Sequence, residues 1–460
     1  MRAARAQKQL WKPTYYCDTF SVAIDNESQY RLVIPLENAM RSLLFALLFL
    51  AAAPLCAQAD PAKAAQPLDP VAPANGTKPA DEPPKPAKSP VEAWEDGLGR
   101  ADTPIGKFRI GGYATLLHRT LERYNGGDSV NFFDSIRIVP QLDWEIVDWL
   151  EFGMEIEFEG GGAGASFLSE NEILVEYAEA RATPLDELNF KAGLLLINFG
   201  RYNKNHDDIF WDLVDRPYAA RRIIPSAFDQ PGVGVYGTFN QIPFLSIDYD
   251  LQVTQGFNEK FTSNGGARDA RTSFRADNND NKALWFRLGL TPDFTTNLVT
   301  ADLGFSYTYQ EIAPGNKQAL RGTGVDGGVR LNLHDRFGIV ITGEWNRFWI
   351  HRQSSPTVPN GLWGWFADVL FKIDPFPKSW RNKVFGARPY IGLIFRIEQN
   401  DLNDDFKGAA ARDDRFAITI GLSFRPISKM VLRFEWKNQQ SRERDDGDEN
   451  RWVTSVSVGF

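Results

Sequence analysis

The strongest constraint on this chain is a two-residue alternation that recurs in segments of ~10 residues from Phe108 to Phe460, with apolar side chains on one face and charged or hydrophilic ones on the other. Ile136, Ile138, Leu142, Trp144 and Ile146 alternate with Ser135, Arg137, Gln141, Asp143 and Glu145. After the tight link Asp148-Trp149 the pattern resumes with Leu150, Phe152, Met154, Ile156 and Phe158 against Glu151, Glu155, Glu157 and Glu159, so the two segments predict one hairpin. The same texture returns at 245–254, 302–310 and 416–425. Soluble strands average ~5–6 residues, whereas a tilted strand needs ~9–11 to cross a bilayer. A soluble sandwich would also have to bury the Glu, Asp, Arg and Lys of the second face, which a water-filled lumen hydrates instead. The pattern predicts an all-β fold, a transmembrane antiparallel β-barrel with its apolar face towards lipid.

About 16 segments can be counted, centred from Tyr113 to Val456, and an even number suits a single-chain bacterial barrel. The links alternate in length. Asp148-Trp149, Thr183-Pro184-Leu185 and Pro426-Ile427-Ser428 are short, whereas 159–171, 198–232, 258–281, 400–414 and 441–450 are long and polar. Short periplasmic turns and long extracellular loops are the expected asymmetry of an outer-membrane barrel. The barrel is assigned to 106–460.

Mean hydropathy is −0.34 and 24% of residues are charged. No stretch beyond the N-terminal region is long and apolar enough for a membrane-spanning helix. The one apolar run, Ser42 to Leu55, follows Met40-Arg41 and precedes Ala57-Gln58-Ala59, the order of a secretory leader. Residues 40–59 are therefore expected to be a signal peptide of a Gram-negative chain, and 1–39 an over-extended start with Met40 the initiator. Leu55 before Cys56 disfavours a lipoprotein signal. Residues 60–105 are rich in Pro and Ala and are expected to be a disordered periplasmic segment. The only cysteines, Cys17 and Cys56, precede the expected cleavage site, leaving no thiol for a disulfide, a metal or a nucleophile. Removing residues 1–59 takes the net charge from −8 to −10, so a nucleic-acid partner is not expected. The last segment ends in Phe460, which resembles the signal read by the barrel assembly machinery. Outer-membrane lipid and lipopolysaccharide are the other expected partners.

The third long loop carries Arg201, Lys204, Arg216, Arg221 and Arg222 among Asp207, Asp208, Asp212, Asp215 and Asp229. Through Phe199-Gly200-Arg201, Asp215-Arg216-Pro217 and Gly232-Val-Gly-Val-Tyr-Gly237, the chain from about 106 to 460 resembles the phosphate-selective porin O and P superfamily. That resemblance implies a homotrimeric porin whose third loop folds inward and narrows a passive channel for small hydrophilic solutes or ions. The family's lysine-rich phosphate cluster is absent, so its phosphate site is not carried over. On charge alone, Arg201, Lys204, Arg216, Arg221 and Arg222, balanced by Asp212 and Asp215, form the candidate constriction, with a weak lean towards anions. Arg109, Arg137, Glu155, Glu157, Arg287, Arg330, Arg396 and Arg433 are the candidate lumen charges. The rival function is a closed barrel serving as a structural element or adhesin.

No enzyme and no cofactor are expected. His118, His206, His334 and His351 have no nucleophile motif around them. His206 with Asp207 and Asp208 is a conceivable divalent-cation set but is set aside, leaving no assigned metal site. The glycine run 160–164 opens no helix and is read as a surface loop.

Overall fold

The computed structural model describes residues 99–123, 129–160, 172–272, 282–294, 296, 298–313, 318–353, 355–406, 414–441 and 448–460. The leader, the early start and most of the Pro/Ala-rich segment lie outside these residues, as do 161–171 and 442–447. The strands are β1 (Arg100–Thr103), β2 (Gly106–Arg123), β3 (Val130–Val147), β4 (Leu150–Glu159), β5 (Glu172–Ala182), β6 (Asn189–Leu196), β7 (Asp229–Phe239), β8 (Leu245–Thr254) and β9 (Ala283–Pro292). They continue as β10 (Val299–Glu311), β11 (Ala319–His334), β12 (Phe337–Ile350), β13 (Gly361–Ile373), β14 (Tyr390–Asp401), β15 (Arg415–Ile427), β16 (Met430–Ser441) and β17 (Glu449–Gly459).

From β2 onward each strand pairs antiparallel with its sequence neighbour, and β17 pairs back onto β2 from Gly459 against Tyr113 to Glu449 against Arg123. Sixteen strands thus close a barrel, and no hydrogen-bonding edge remains in the ring. The short β1, which lies within the stretch expected to be disordered, pairs with the start of β2 through Arg100 against Arg109. At the seam the Phe460 amide donates to the Gly112 carbonyl (2.9 Å).

Alternation becomes an inverted pattern of burial. On β14, Leu393, Phe395 and Ile397 are exposed on the outer face, while Arg396 and Glu398 between them are 1% and 0% exposed inside. Along β10, Leu303 and Phe305 are exposed outward, whereas Ser306, Thr308 and Gln310 are buried inward. An outer surface of Leu, Ile, Phe and Val around a polar interior is stable only with hydrocarbon outside. Among the described residues no helix is long and apolar enough to cross a membrane. Phe305→Arg, at the centre of β10, is expected to destabilise the barrel by about 2–4 kcal/mol. Urea titration of folding into vesicles would check this, with an unchanged midpoint arguing against lipid at that face.

The two rims differ as the sequence predicts, with one exception. Links at 148–149, 335–336 and 428–429 are minimal, but 374–389 on the same rim is long and includes a 3-10 turn at Lys378–Trp380. Its Phe376 and Phe385 pack with Phe424, ring centroids 4.5–5.9 Å apart, which accounts for the extra length as an aromatic cap at the rim.

Candidate functional site

The third loop, 197–228, leaves β6 and folds into the barrel through two short 3-10 turns, Asn203–Asn205 and Asp208–Phe210, and a π-helical turn, Ala219–Ile223. Its path is set by wall side chains on the far side, because a loop inside a barrel must find partners for its backbone groups. Glu344 of β12 accepts from the amides of Arg201 (2.8 Å) and Tyr202 (3.2 Å). Glu435 of β16 accepts from Val214 (2.7 Å) and Asp215 (3.1 Å), and Glu398 of β14 from Tyr218 (2.6 Å). Arginines grip the carbonyls. Arg396 donates to Asp215 (2.6 Å), Arg425 to Ile209 (2.7 Å) and Trp211 (2.9 Å), and Arg433 to Asp208 (2.6 Å). Gly200 lets the loop reach Glu344: its φ is +67°, and a Cβ there would stand 2.5 Å from Glu344 Oε1.

Behind the charged contacts the loop packs as an apolar core. Ile197, Phe199, Ile223, Ile224 and Phe228 are buried with Phe257 and Phe261 of the following long loop and with Trp285 and Phe348 of the wall. Phe228 stacks on Phe257 at 4.5 Å and Phe199 meets Trp285 edge-on at 5.8 Å. Burial of this second loop was missed from sequence, where 258–281 reads as polar surface. The signal lay in Phe257 and Phe261, bulky aromatics without a strand to carry them.

Three acidic side chains of the loop are taken up by arginines of the barrel wall. Asp208 lies beside Arg137 (3.4 Å). Asp212 pairs with Arg425 (3.0 Å) and accepts from Tyr390 and Ser423. Asp215 bridges Arg119 (2.6 Å) and Arg451 (2.7 Å). Burial alone would raise Asp212 and Asp215, but Arg425 holds the first below the ordinary carboxylate range, and Arg119 and Arg451 hold the second well below it. Asp212 and Asp215 are therefore fastenings of the loop rather than open charges.

The basic side chains divide differently. Arg201 pairs with Asp302 (3.1 Å), and Lys204 is exposed. Arg216 reaches the Ser226 carbonyl with Nη1 (2.5 Å), leaving Nη2 without a hydrogen-bond partner. Neither Arg221 nor Arg222 has an ion-pair partner among the described residues. Burial, then Arg221, Arg415 and Arg268, push Arg222 down to about 10, which marks a patch where positive charges face one another.

The expected ladder of lumen charges needs correction. Arg396 is bound to Asp368 (2.7 Å) as well as to the loop, Arg433 to Ser455 (2.8 Å) and the loop, Arg287 to Asp326, and Arg137 to Glu157. These four are buried or nearly so and act as clamps. Arg109, in register with Asp143, and Arg330, on the face of Asp326, remain exposed. Glu155 and Glu157 are buried. Asp208 does not join His206; Asp207 does, beside Glu155 and Glu176.

No family model matches the chain. A curated protein of Aquifex aeolicus (strain VF5), described as uncharacterized, is 30% identical over 152 residues, which is 32% of this chain and 34% of that relative. The match thus spans about a third of the relative's length. Among solved structures, OprB of Pseudomonas putida aligns over 77% of this chain and 94% of its own, with a TM-score of 0.50 and 12% identity. The fold is that of the outer-membrane porins. OmpF of Salmonella typhi, solved in complex with daunomycin, aligns over 79% of this chain and all of its own, with a TM-score of 0.49 and 13% identity.

Proposed function

We propose that this chain is a passive outer-membrane porin whose third loop leaves a basic passage and favours small anions, phosphate among them, over cations. A closed ring of 16 strands is wide enough for an aqueous lumen, whereas about eight are filled by side chains. The observation that carries the anion preference is the unequal fate of the loop charges. Asp208, Asp212 and Asp215 are paired with wall arginines, while Arg216 Nη2, Arg221, Arg222 and Lys204 are not paired with acids among the described residues. Fixed cations in a narrow, low-dielectric surround lower the barrier for anions. Nothing in this arrangement calls for catalysis, and the assembly expected from the porin resemblance is a homotrimer.

A second reading, a closed structural barrel, is favoured by the buried apolar cluster that the third loop and residues 257–270 build inside the wall. Planar-bilayer recording of the refolded chain separates the two. Stepwise conductance that closes in three equal substeps is the expected result for a trimeric channel. A silent bilayer at high protein load would favour the closed barrel.

A further inference from the structure

Where the third loop lies against β4 and β5, four buried side chains from three segments converge. Across this strand pair Glu155 opposes Tyr177 and Ile156 opposes Val175, so Glu176 is the extra residue of a β-bulge and turns inward beside Glu155. The loop adds His206 and Asp207 at the end of its first 3-10 turn. From His206 Nε2, Glu176 Oε2 is 3.1 Å away, Asp207 Oδ1 3.5 Å and Glu155 Oε1 4.0 Å. The four ligand atoms all lie within 4.8 Å of one another, and the residues are 2–6% exposed.

Two independent features turn this cluster into a site. First, His206 Nδ1 lies 2.9 Å from the Asn203 carbonyl, which can only accept, so the ring hydrogen sits on Nδ1 and Nε2 is left to face the carboxylates. A backbone carbonyl on the remote ring nitrogen is the usual outer partner of a metal-binding imidazole. Second, Glu155 Oε1 and Asp207 Oδ1 are buried without any hydrogen-bond partner, although Gln141 satisfies the other oxygen of each, at 2.7 and 3.3 Å. Native structures rarely leave such atoms orphaned. Of the neighbouring guanidiniums, Arg137 is committed to Glu157, Glu159 and Asp208, and Arg216 is hydrogen-bonded to the Ser226 carbonyl.

We propose that Glu155, Glu176, His206 and Asp207 bind one first-row divalent transition-metal cation, of the zinc or manganese type, which fastens the third loop to the barrel wall. One imidazole nitrogen and three carboxylate oxygens suit such a cation. The absence of sulfur disfavours softer ions, and the imidazole in a set of four disfavours calcium and magnesium. Tetrahedral ligands on zinc stand about 3.4 Å apart, so modest side-chain rotations from the observed spacing close the shell.

The test uses the full chain folded in detergent, stripped with a chelator and titrated with Zn²⁺ by calorimetry. One Zn²⁺ per chain is expected, with Ca²⁺ in excess unable to displace it. Glu155→Gln with Glu176→Gln should weaken uptake by about 100-fold or more. Asp148→Asn, exposed in the turn between β3 and β4 and outside the cluster, should not. Co²⁺ in place of Zn²⁺ should give the visible absorption of a four-coordinate site, abolished in His206→Asn. Should the double variant fail to fold, the wild-type stoichiometry and the Co²⁺ spectrum decide alone. Uptake well below one ion per chain, displacement by Ca²⁺, or retention of full affinity in the variants would overturn the proposal. Because binding is read in detergent without a membrane, its outcome is independent of whether the barrel conducts.

Discussion

Arg221→Glu with Arg222→Glu is expected to move the reversal potential in a salt gradient from the anion side towards the cation side. Neither arginine has an acidic partner among the described residues, so the exchange orphans no buried carboxylate and the barrel should still fold. The effect is large because the patch is already crowded with positive charge: burial lowers Arg221, as do Arg451 and Arg119 against the pull of Asp215, and Arg268 and Arg415 face Arg222. A unit charge at ~4 Å is worth about 1 kcal/mol even in a water-like dielectric, or about fivefold in ion partition. Two reversals should therefore change the permeability ratio at least about fivefold. Matching changes at Arg442 and Arg444, which the sequence places in an external loop, should shift it little, because salt screens fields beyond ~8–10 Å. Equal shifts from both pairs would dismiss the third loop as the filter.

The second large effect is expected at Arg396. Its guanidinium makes two bonds of 2.7 Å to Asp368 and one of 2.6 Å to the Asp215 carbonyl, while lying 5.4 Å over the Phe366 ring. Arg396→Met strands a buried carboxylate and releases the middle of the loop. Breaking a buried pair from one side costs about 3–5 kcal/mol, so the urea midpoint should fall clearly. Single-channel conductance should also rise and become noisier as the loop loses its seat. Adding Asp368→Leu removes the stranded charge and should restore most of the stability, but not the original conductance, since the Asp215 carbonyl still lacks its donor. If conductance recovers along with stability, Arg396 supports the wall only and does not hold the loop.

What could be read from the sequence follows from how far each signal travels along the chain. The centres placed from Tyr113 to Val456 all fall within β2 to β17, because strand alternation is written in neighbouring residues and a lipid-facing wall allows few departures from it. The inward third loop was expected only through the porin resemblance carried by Phe199-Gly200-Arg201 and Asp215-Arg216-Pro217; the charges it carries were legible. The bonding of those charges was not. Asp212 and Asp215 look like a counterweight to the loop arginines, but their partners Arg425 and Arg451 come from β15 and β17. Reading Arg396 and Arg433 as a ladder failed for the same reason: inward orientation is a local property, whereas the atom each grips is set by tertiary placement. Glu176 escaped notice because a bulge, invisible in the alternation, places it beside Glu155.

The distance in sequence between the loop and its holders also constrains the order of folding. The amide of Val214 meets Glu435 across 221 positions, and that of Tyr218 meets Glu398 across 180. Contacts of such high sequence separation form late and slowly, after loop-closure entropy has been overcome. The β3–β4 and β4–β5 pairings join strands adjacent in sequence, so these hairpins are available early. The third loop must then wait for β12 to β16 before its backbone is satisfied, and the bore of the finished barrel is decided among the last events of its assembly.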